Sequence, residues 1–264
     1  MKKAILFILM LPLLLTGCSN LSSGQATNST QQVSAQTIGQ WTYRSNDKPV
    51  KIINGDKPTI SYKAFEQSHI DFGGLDDLHR TKRATAYLTR NNLGRSYTRT
   101  EQTWRPTGWH NQPKYVNGQR VIAQNRGHLI AYTMTFNLNK DGKPDQGQLG
   151  SIDNPYNLFT QTEFSNQKTM IEIEQTVRNA LARNKKMIYQ VTPIFRGQEL
   201  MARGVWVQGI SNDGSVKFNR YLWNVQDQVQ FDYATGRSRV NRDFRVPEVK
   251  QQHYQSKKYH HNSY

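Results

Sequence analysis

The sequence predicts one α+β domain in which two short strands and an amphipathic helix stand in front of further sheet. Three observations predict it. First, β-rich runs occur at 120–124 and 156–161, separated by the loop chemistry of Asn139-Lys140-Asp141-Gly142-Lys143-Pro144. Second, the apolar period changes after Ser165. Met170, Ile173, Val177, Ala180 and Leu181 recur at three- and four-residue steps, which predicts a helix of about 18 residues capped by Ser165 or Asn166. Third, strands resume at 187–195, 204–210 and 215–225, the last two joined by a turn at Asn212-Asp213-Gly214.

The N-terminal residues set expectations about location. Met1-Lys2-Lys3 is a short basic start, and residues 4–15 are apolar apart from Pro12. That run is too short to cross a bilayer core of roughly 30 Å as a helix. It has the size and charge of a secretory signal, which gives residues 1–17 as a signal peptide. Leu15-Thr16-Gly17-Cys18 resembles the lipobox of bacterial lipoproteins, in which the cysteine becomes the lipidated N-terminus. The plainer reading is an ordinary signal cut near a cysteine. Cys18 is the only cysteine of the chain, so it has no intramolecular disulfide to make, and an anchor explains it better. The expected location is therefore outside the cell, lipid-anchored to the outer face of a bacterial membrane or shed from it.

Residues 19–40 carry no charged side chain and are rich in Ser, Thr, Gln and Asn, so 18–40 reads as a flexible tether. As a random coil it would span on the order of 25 Å. Residues 41–248 have the aliphatic and aromatic content of one globular domain, with no internal repeat. Residues 249–264 form a polar, basic tail with His253, His260 and His261. No carboxylate or cysteine accompanies those histidines, and the tail is assigned no chemistry.

The net charge is +16, and removal of Lys2 and Lys3 with residues 1–17 leaves +14. An excess of that size points to a polyanion: nucleic acid, anionic lipid or cell-wall polymer. It does not by itself point to an enzyme, because a passive DNA receptor needs the same surface.

The chemistry-bearing stretch begins with Asn125-Arg126-Gly127-His128, directly after the first strand. Glycine there allows a tight turn, and a histidine just beyond can be held against a cleft with a pKa suited to taking a proton from water. Alone, such a histidine is more often structural. The helix adds to it. With Asn166 at zero and about 100° per residue, the apolar positions fall between roughly −40° and +60°, Glu174 near 80° and Arg178 near 120°. Glu172, Lys168, Asn179 and Arg183 fall on the far side. An ordinary salt bridge between Glu174 and Arg178 would explain the pair but not its place beside His128.

These residues together, NRGH followed by Asn157, Gln161, Asn166, Glu174 and Arg178, resemble the DNA/RNA non-specific endonuclease family of the ββα-metal (His-Me finger) class. The resemblance is to the secreted and membrane-attached EndA-type nucleases of Gram-positive bacteria, and it runs from about Phe72 to Val240. It implies a ββα-metal core flanked by mixed or antiparallel sheet. It implies cleavage of DNA and RNA with little sequence preference, acting on the phosphate backbone and leaving the phosphate on the 5′ side. His128 would be the general base, and Asn166 the direct protein ligand of Mg²⁺, for which Mn²⁺ can substitute. Glu174 would hold metal-bound waters, Arg126 and Arg178 would sit near the phosphate, and Asn157 would support the site with Gln161 beside it. One position departs: many members have Asp where this chain has Asn125, which keeps a carbonyl acceptor and loses the charge. That leaves any electrostatic role of the acid open.

Physical chemistry agrees with those roles. A phosphodiester is anionic and gains charge as water attacks, so a base and nearby positive charge are needed. Mg²⁺ takes oxygen ligands and keeps several waters. Contacts to phosphate carry no sequence information. The alternative from another class is a non-catalytic, DNA-capturing surface lipoprotein. A cell-wall-binding lipoprotein would leave the 125–178 constellation unexplained. No protein partner is expected, and the sequence does not say which of Arg80, Arg83, Arg95, Arg99 and Arg105 meets substrate.

Overall fold

The computed structural model describes residues 33–249. Helix α1 (Ala35–Gly39) is followed by strands β1 (Val50–Ile52), β2 (His69–Phe72), β3 (Ala84–Leu88), β4 (Lys114–Val116), β5 (Gln119–Val121), β6 (Gln124–His128) and β7 (Leu158–Thr162). A π-helical stretch (Ser165–Met170) runs into α2 (Ile171–Ala182). Strands β8 (Met187–Ile194), β9 (Gly204–Ser211), β10 (Lys217–Trp223), β11 (Val229–Phe231) and β12 (Ser238–Val240) complete the order. The α+β expectation holds. No helix among the described residues is long and apolar enough to cross a membrane.

The scaffold is a six-stranded antiparallel sheet in the order β1-β10-β9-β8-β3-β2. Alternate residues on a strand face opposite sides, and here both sides are covered. On one side Ala86, Tyr189, Val207 and Phe218 pack with Ile173, Val177 and Leu181 of α2. That apolar stripe at three- and four-residue spacing makes the segment a helix and fixes which of its faces meets the sheet. Each of the three side chains contributes about 1.5–3 kcal/mol by burial, so Leu181→Ala is the kind of change that loosens the helix from its sheet. On the other side Tyr221, Trp223 and Ile194 are covered by Ile38 and Ile53. There Thr59 N–H donates to Gln208 Oε1 at 2.7 Å, and Asn219 N–H donates to Asp56 Oδ1 at 2.9 Å.

Strands β6 and β7 form a separate antiparallel pair in which Gln124 faces Thr162 and His128 faces Leu158. The helix follows β7 almost at once. Strand, strand and helix therefore stand together as a ββα unit against the larger sheet.

Four local expectations are corrected. The strand expected at 120–124 is two strands, and the NRGH tetrapeptide lies inside β6 rather than beyond a strand end. Gly127 is extended, opposite Phe159, and makes no turn. Glycine is needed there because the Gln161 side chain from the neighbouring strand lies over it, and a Cβ at 127 would collide with Gln161 Oε1. Neither Ser165 nor Asn166 caps the helix. Helical backbone starts at residue 163, and Ser165 N–H donates to Thr162 Oγ1 at 3.0 Å. The tether also ends sooner than residue 40. Ser34 Oγ accepts from Thr37 N–H at 3.1 Å at the start of α1, and Ile38 is fully buried. Capping plus one buried isoleucine is enough to tie this segment to the domain. Residues 1–17, Cys18 and the tail from residue 250 lie outside the described residues.

Candidate active site

A cleft of about 830 Å³ opens between the ββα unit and the segments carrying Arg99 and Ile152. The ββα side contributes Asn125, Arg126 and His128 from β6 and Asn166, Ile171 and Glu174 from the helix; the facing side contributes Arg99, Gln102 and Trp109.

The helix reaches this arrangement through its π stretch. An α-helix advances about 100° per residue, which would leave Glu174 some 80° round from Asn166. A π turn, closed by i→i+5 bonds, advances each residue by less. Four of the eight steps from Asn166 to Glu174 lie in the π stretch. The angle between the two side chains shrinks accordingly, and both line the cleft.

His128 Nε2 lies 2.9 Å from the Ile152 carbonyl oxygen. Since a carbonyl only accepts, Nε2 is the protonated nitrogen and Nδ1 keeps its lone pair. Burial lowers the imidazole from its ordinary range to about 4, helped by the positive charge of Arg99 and opposed by the Ile152 carbonyl and Asp153. The ring is neutral at pH 7.

Glu174 is the complementary case. Burial raises its carboxyl to about 7, against the lowering effect of Arg99 and Arg178. Among the described residues it has no ion pair within 4.0 Å and no side-chain hydrogen bond. The salt bridge with Arg178 considered from the sequence does not form. Arg178 Nη1 instead donates to the Thr133 carbonyl at 2.9 Å. Arg178 was expected near the phosphate and is not among the residues lining the cleft. Its phase on the helix carries it past the rim, where a backbone carbonyl satisfies it.

Asn157 is also outside the cleft. It is fully buried, its Oδ1 accepting from Ile130 N–H and its Nδ2 donating to Ile130 O, both at 2.9 Å. It thereby pins the chain two residues past His128. Gln161 is fully buried too; its Nε2 donates to Ser165 Oγ at 3.0 Å, while Oε1 has no partner among the described residues. Arg126 lines the cleft with Nε donating to the Trp104 carbonyl at 2.7 Å and its guanidinium 4.8 Å from the Trp109 ring centre.

Sequence reasoning missed Gln102, Trp109 and the Ile152 carbonyl, and left Arg99 among five arginines. Geometry separates those five. Arg80 is bound to Asp76 at 2.7 Å and to the carbonyls of Gly197 and Glu199. Arg83 borders a groove with Thr85 and Gln190, on the sheet face away from α2. Arg95 bonds the Tyr97 hydroxyl at 3.2 Å, and Arg105 is outside the cleft lining. Only Arg99 of the five lines the cleft. No periodic signal marks it, because its segment has no strand or α-helix.

A metal ion fits the donor set. Among the described residues no three His, Cys, Asp or Glu side chains gather as a metal-binding group. What shares the cleft is the Asn166 amide and the half-buried Glu174 carboxylate, hard oxygens that suit a cation retaining much of its water.

Comparison with known proteins points the same way. Among solved structures, NucA from Streptococcus agalactiae is similar at 27% identity over 73% of this chain. Its magnesium-bound form gives a TM-score of 0.62 with 88% of that chain covered, and its metal-free form 0.61 with 87%. The Sda1 nuclease, in a structure with zinc bound, shares the fold at 20% identity and a TM-score of 0.53, over 72% of this chain and 95% of that one. The sequence model described as DNA/RNA non-specific endonuclease matches residues 58–212, more than half of the chain. That span holds β6, β7, the helix and every cleft residue named above, so the chain belongs to the DNA/RNA non-specific endonuclease family and is an enzyme that hydrolyses nucleic acid.

Proposed function

We propose that the protein is a Mg²⁺-dependent endonuclease that hydrolyses phosphodiester bonds of DNA and RNA with little sequence preference, with His128 as general base. The observation that carries this reading is the 2.9 Å contact of His128 Nε2 with the Ile152 carbonyl, which leaves Nδ1 as the basic atom. Nδ1 takes a proton from the attacking water; the new oxygen–phosphorus bond forms as the bond to the 3′ oxygen breaks, leaving the phosphate on the 5′ side. A free imidazole at about 4 is a weak base, but an anionic phosphate entering the cleft raises its proton affinity at the step where it is used.

Arg99 and Arg126 supply fixed positive charge to the phosphate. With Nε held by the Trp104 carbonyl, Arg126 keeps its terminal N–H groups for substrate. Mg²⁺, held directly by Asn166 and through water by Glu174, would add charge at the phosphate and the leaving oxygen. The magnesium-bound NucA structure supports that choice of ion. Arg178 and Asn157 act by holding the helix rim and the chain after His128 in place.

Incubating supercoiled plasmid, and separately a structured RNA, with the purified chain in Mg²⁺ tests the reading. Degradation of both that stops on chelation is expected. Binding without cutting in Mg²⁺ or Mn²⁺ would favour the DNA-capturing alternative. We propose also that the protein is exported and that Cys18 carries the lipid anchor. Metabolic labelling with a fatty acid should mark the wild type and not Cys18→Ala; an unlabelled wild type would sink the anchor.

A further inference from the structure

We propose that Asp153 and Gln102 are positioning residues that lock the arginine-bearing wall of the cleft to the general base, so that Arg99 and His128 are set as one unit. Residues 99–104 belong to no strand or helix, and their place is fixed by side-chain bonds to a segment some fifty residues away. Asp153 Oδ2 accepts from Thr103 N–H at 3.0 Å and from the Thr103 hydroxyl, and Oδ1 accepts from Trp104 N–H at 2.9 Å. The neighbouring residue completes the link. The Ile152 carbonyl accepts from Gln102 Nε2 at 3.1 Å and from His128 Nε2 at 2.9 Å. The same carbonyl that fixes the tautomer of the base thus also holds the residue three positions beyond Arg99. On the far side Arg126 Nε donates to the Trp104 carbonyl at 2.7 Å, closing a circuit from β6 through the wall and back to His128.

The electrostatics suit a permanent clamp. Burial would raise the Asp153 carboxyl, but the bonds from Thr103 and Trp104 and the charge of Arg126 hold it below its ordinary range. It stays an ionised acceptor, for which charge-assisted bonds are strong. Gln102 occupies one lone pair of the Ile152 carbonyl and leaves the other for the imidazole. A loop free to drift would move Arg99 and that carbonyl together, and displacement of about 1 Å can lower a rate on the order of 100-fold.

This inference rests on the reading of Arg99 as the phosphate-side cation and His128 as the base. The test uses the full chain with plasmid substrate in Mg²⁺, measuring kcat, KM and melting temperature. Asp153→Ala should lower kcat by roughly 10–100-fold while the melting temperature moves by a few degrees at most. Asp153→Asn keeps one acceptor oxygen and should fall between. Thr103→Val, which removes a single hydroxyl bond on an exposed residue, should give the smallest loss and guards against a folding defect in the alanine variant. The deciding measurement is the double variant Asp153→Ala/Arg99→Ala, whose loss in kcat should fall well short of the product of the two single losses, since one of the two groups the clamp positions is already gone. Fully additive losses overturn the coupling, as does an Asp153→Ala enzyme with wild-type kcat. A kcat loss that follows melting temperature across the series overturns it in favour of a plain structural role. Failure of the underlying reading is separately visible: Arg99→Ala at wild-type activity would remove Arg99 from the site, whatever Asp153 does.

Discussion

One wall of the cleft is made of regular elements and the other of loops, and they are held in place by different means. On the ββα side, β6, β7 and the helix place His128, Asn166 and Glu174 through backbone pairing and an apolar stripe packed on the sheet. On the facing side, Arg99, Gln102 and Trp109 are placed by individual side chains. Asp153 accepts from Thr103 and Trp104, and buried Gln124 accepts from His110 N–H at 2.7 Å while donating to the Gly108 and Gly236 carbonyls at 3.2 and 2.8 Å. Periodic elements tie function to spacing, whereas loops tie it to single long-range bonds. The first wall should therefore carry the base and the metal-side oxygens and tolerate little, and the second should place Arg99 and fail bond by bond.

The largest expected effect is on the regular wall. His128→Ala should slow cleavage by roughly 10²–10⁴-fold with duplex binding nearly intact, as for loss of a general base. Cleavage time courses and binding isotherms in chelator separate the two. If the alanine variant cut at the wild-type rate, the base would lie elsewhere and the comparison of walls would lose its basis.

That wall was also the legible one. The pattern of Met170, Ile173, Val177 and Leu181 gives the helix, and the step from Asn166 to Glu174 places two oxygen-bearing side chains near one face. What spacing alone could not give is the π stretch, because nothing in Ser165–Met170 distinguishes an i→i+5 turn from an α turn by composition. Nor could it give the reason for Gly127, which depends on a side chain from the neighbouring strand. For Arg178, helical phase says which way the side chain leaves the helix but not that the Thr133 carbonyl waits there. The facing wall was illegible for a different reason. Thr103 and Asp153 meet only because the whole fold brings them together, and no local pattern encodes that meeting.

Next in size is a contrast within one helix. Glu174→Gln should lower activity on the order of 10–100-fold and raise the Mg²⁺ needed for half-maximal rate, as for a residue that orders a metal through water. Glu172→Gln, outside the cleft, should change little. The acidity of Glu174 sharpens the test. With the carboxyl at about 7 before a cation binds, protons compete with Mg²⁺ below that pH. The Mg²⁺ requirement of the wild type should thus climb as pH falls from 8 to 6, approaching about tenfold per unit, and stay flat in Glu174→Gln. Any change in His128 protonation acts on the rate of both enzymes alike, so the contrast in Mg²⁺ requirement reports Glu174. Equal effects at Glu172 and Glu174 would mean that net charge alone matters.

Two asparagines on the same wall should then come apart by the property each one affects. Asn157→Ala leaves both backbone groups of Ile130 without their buried partner and should lower stability by about 2–3 kcal/mol in denaturant titration. Asn166 is half-buried and its side chain has no protein hydrogen bond among the described residues, so Asn166→Ala should shift stability by less than about 0.5 kcal/mol while abolishing most activity. A stability loss at Asn166 matching that at Asn157 would make Asn166 a structural residue and remove the proposed metal ligand from the site.

The smallest expected effect lies on the loop wall and is the most exposing test of the comparison. The Arg126 guanidinium sits 4.8 Å from the Trp109 ring centre, a cation–π contact at the open edge of the cleft. Such a contact at a partly solvated site is worth about 0.5–1 kcal/mol, which corresponds to roughly 2–5-fold in an equilibrium constant. Arg126 has a second support that does not involve Trp109, the 2.7 Å bond from Nε to the Trp104 carbonyl, so its guanidinium stays in the cleft when the ring is removed. Trp109→Ala should therefore raise KM by about 2–5-fold and leave kcat within twofold, because substrate and transition state lose the contact alike. Trp109→Phe keeps an aromatic face for the guanidinium and should recover most of the difference. If Trp109→Ala instead lowered kcat as steeply as His128→Ala, the ring would be acting on the reacting phosphate. Trp109 would then act in the chemistry directly, and the division between a wall that supplies base and metal oxygens and a wall that fails bond by bond would no longer stand.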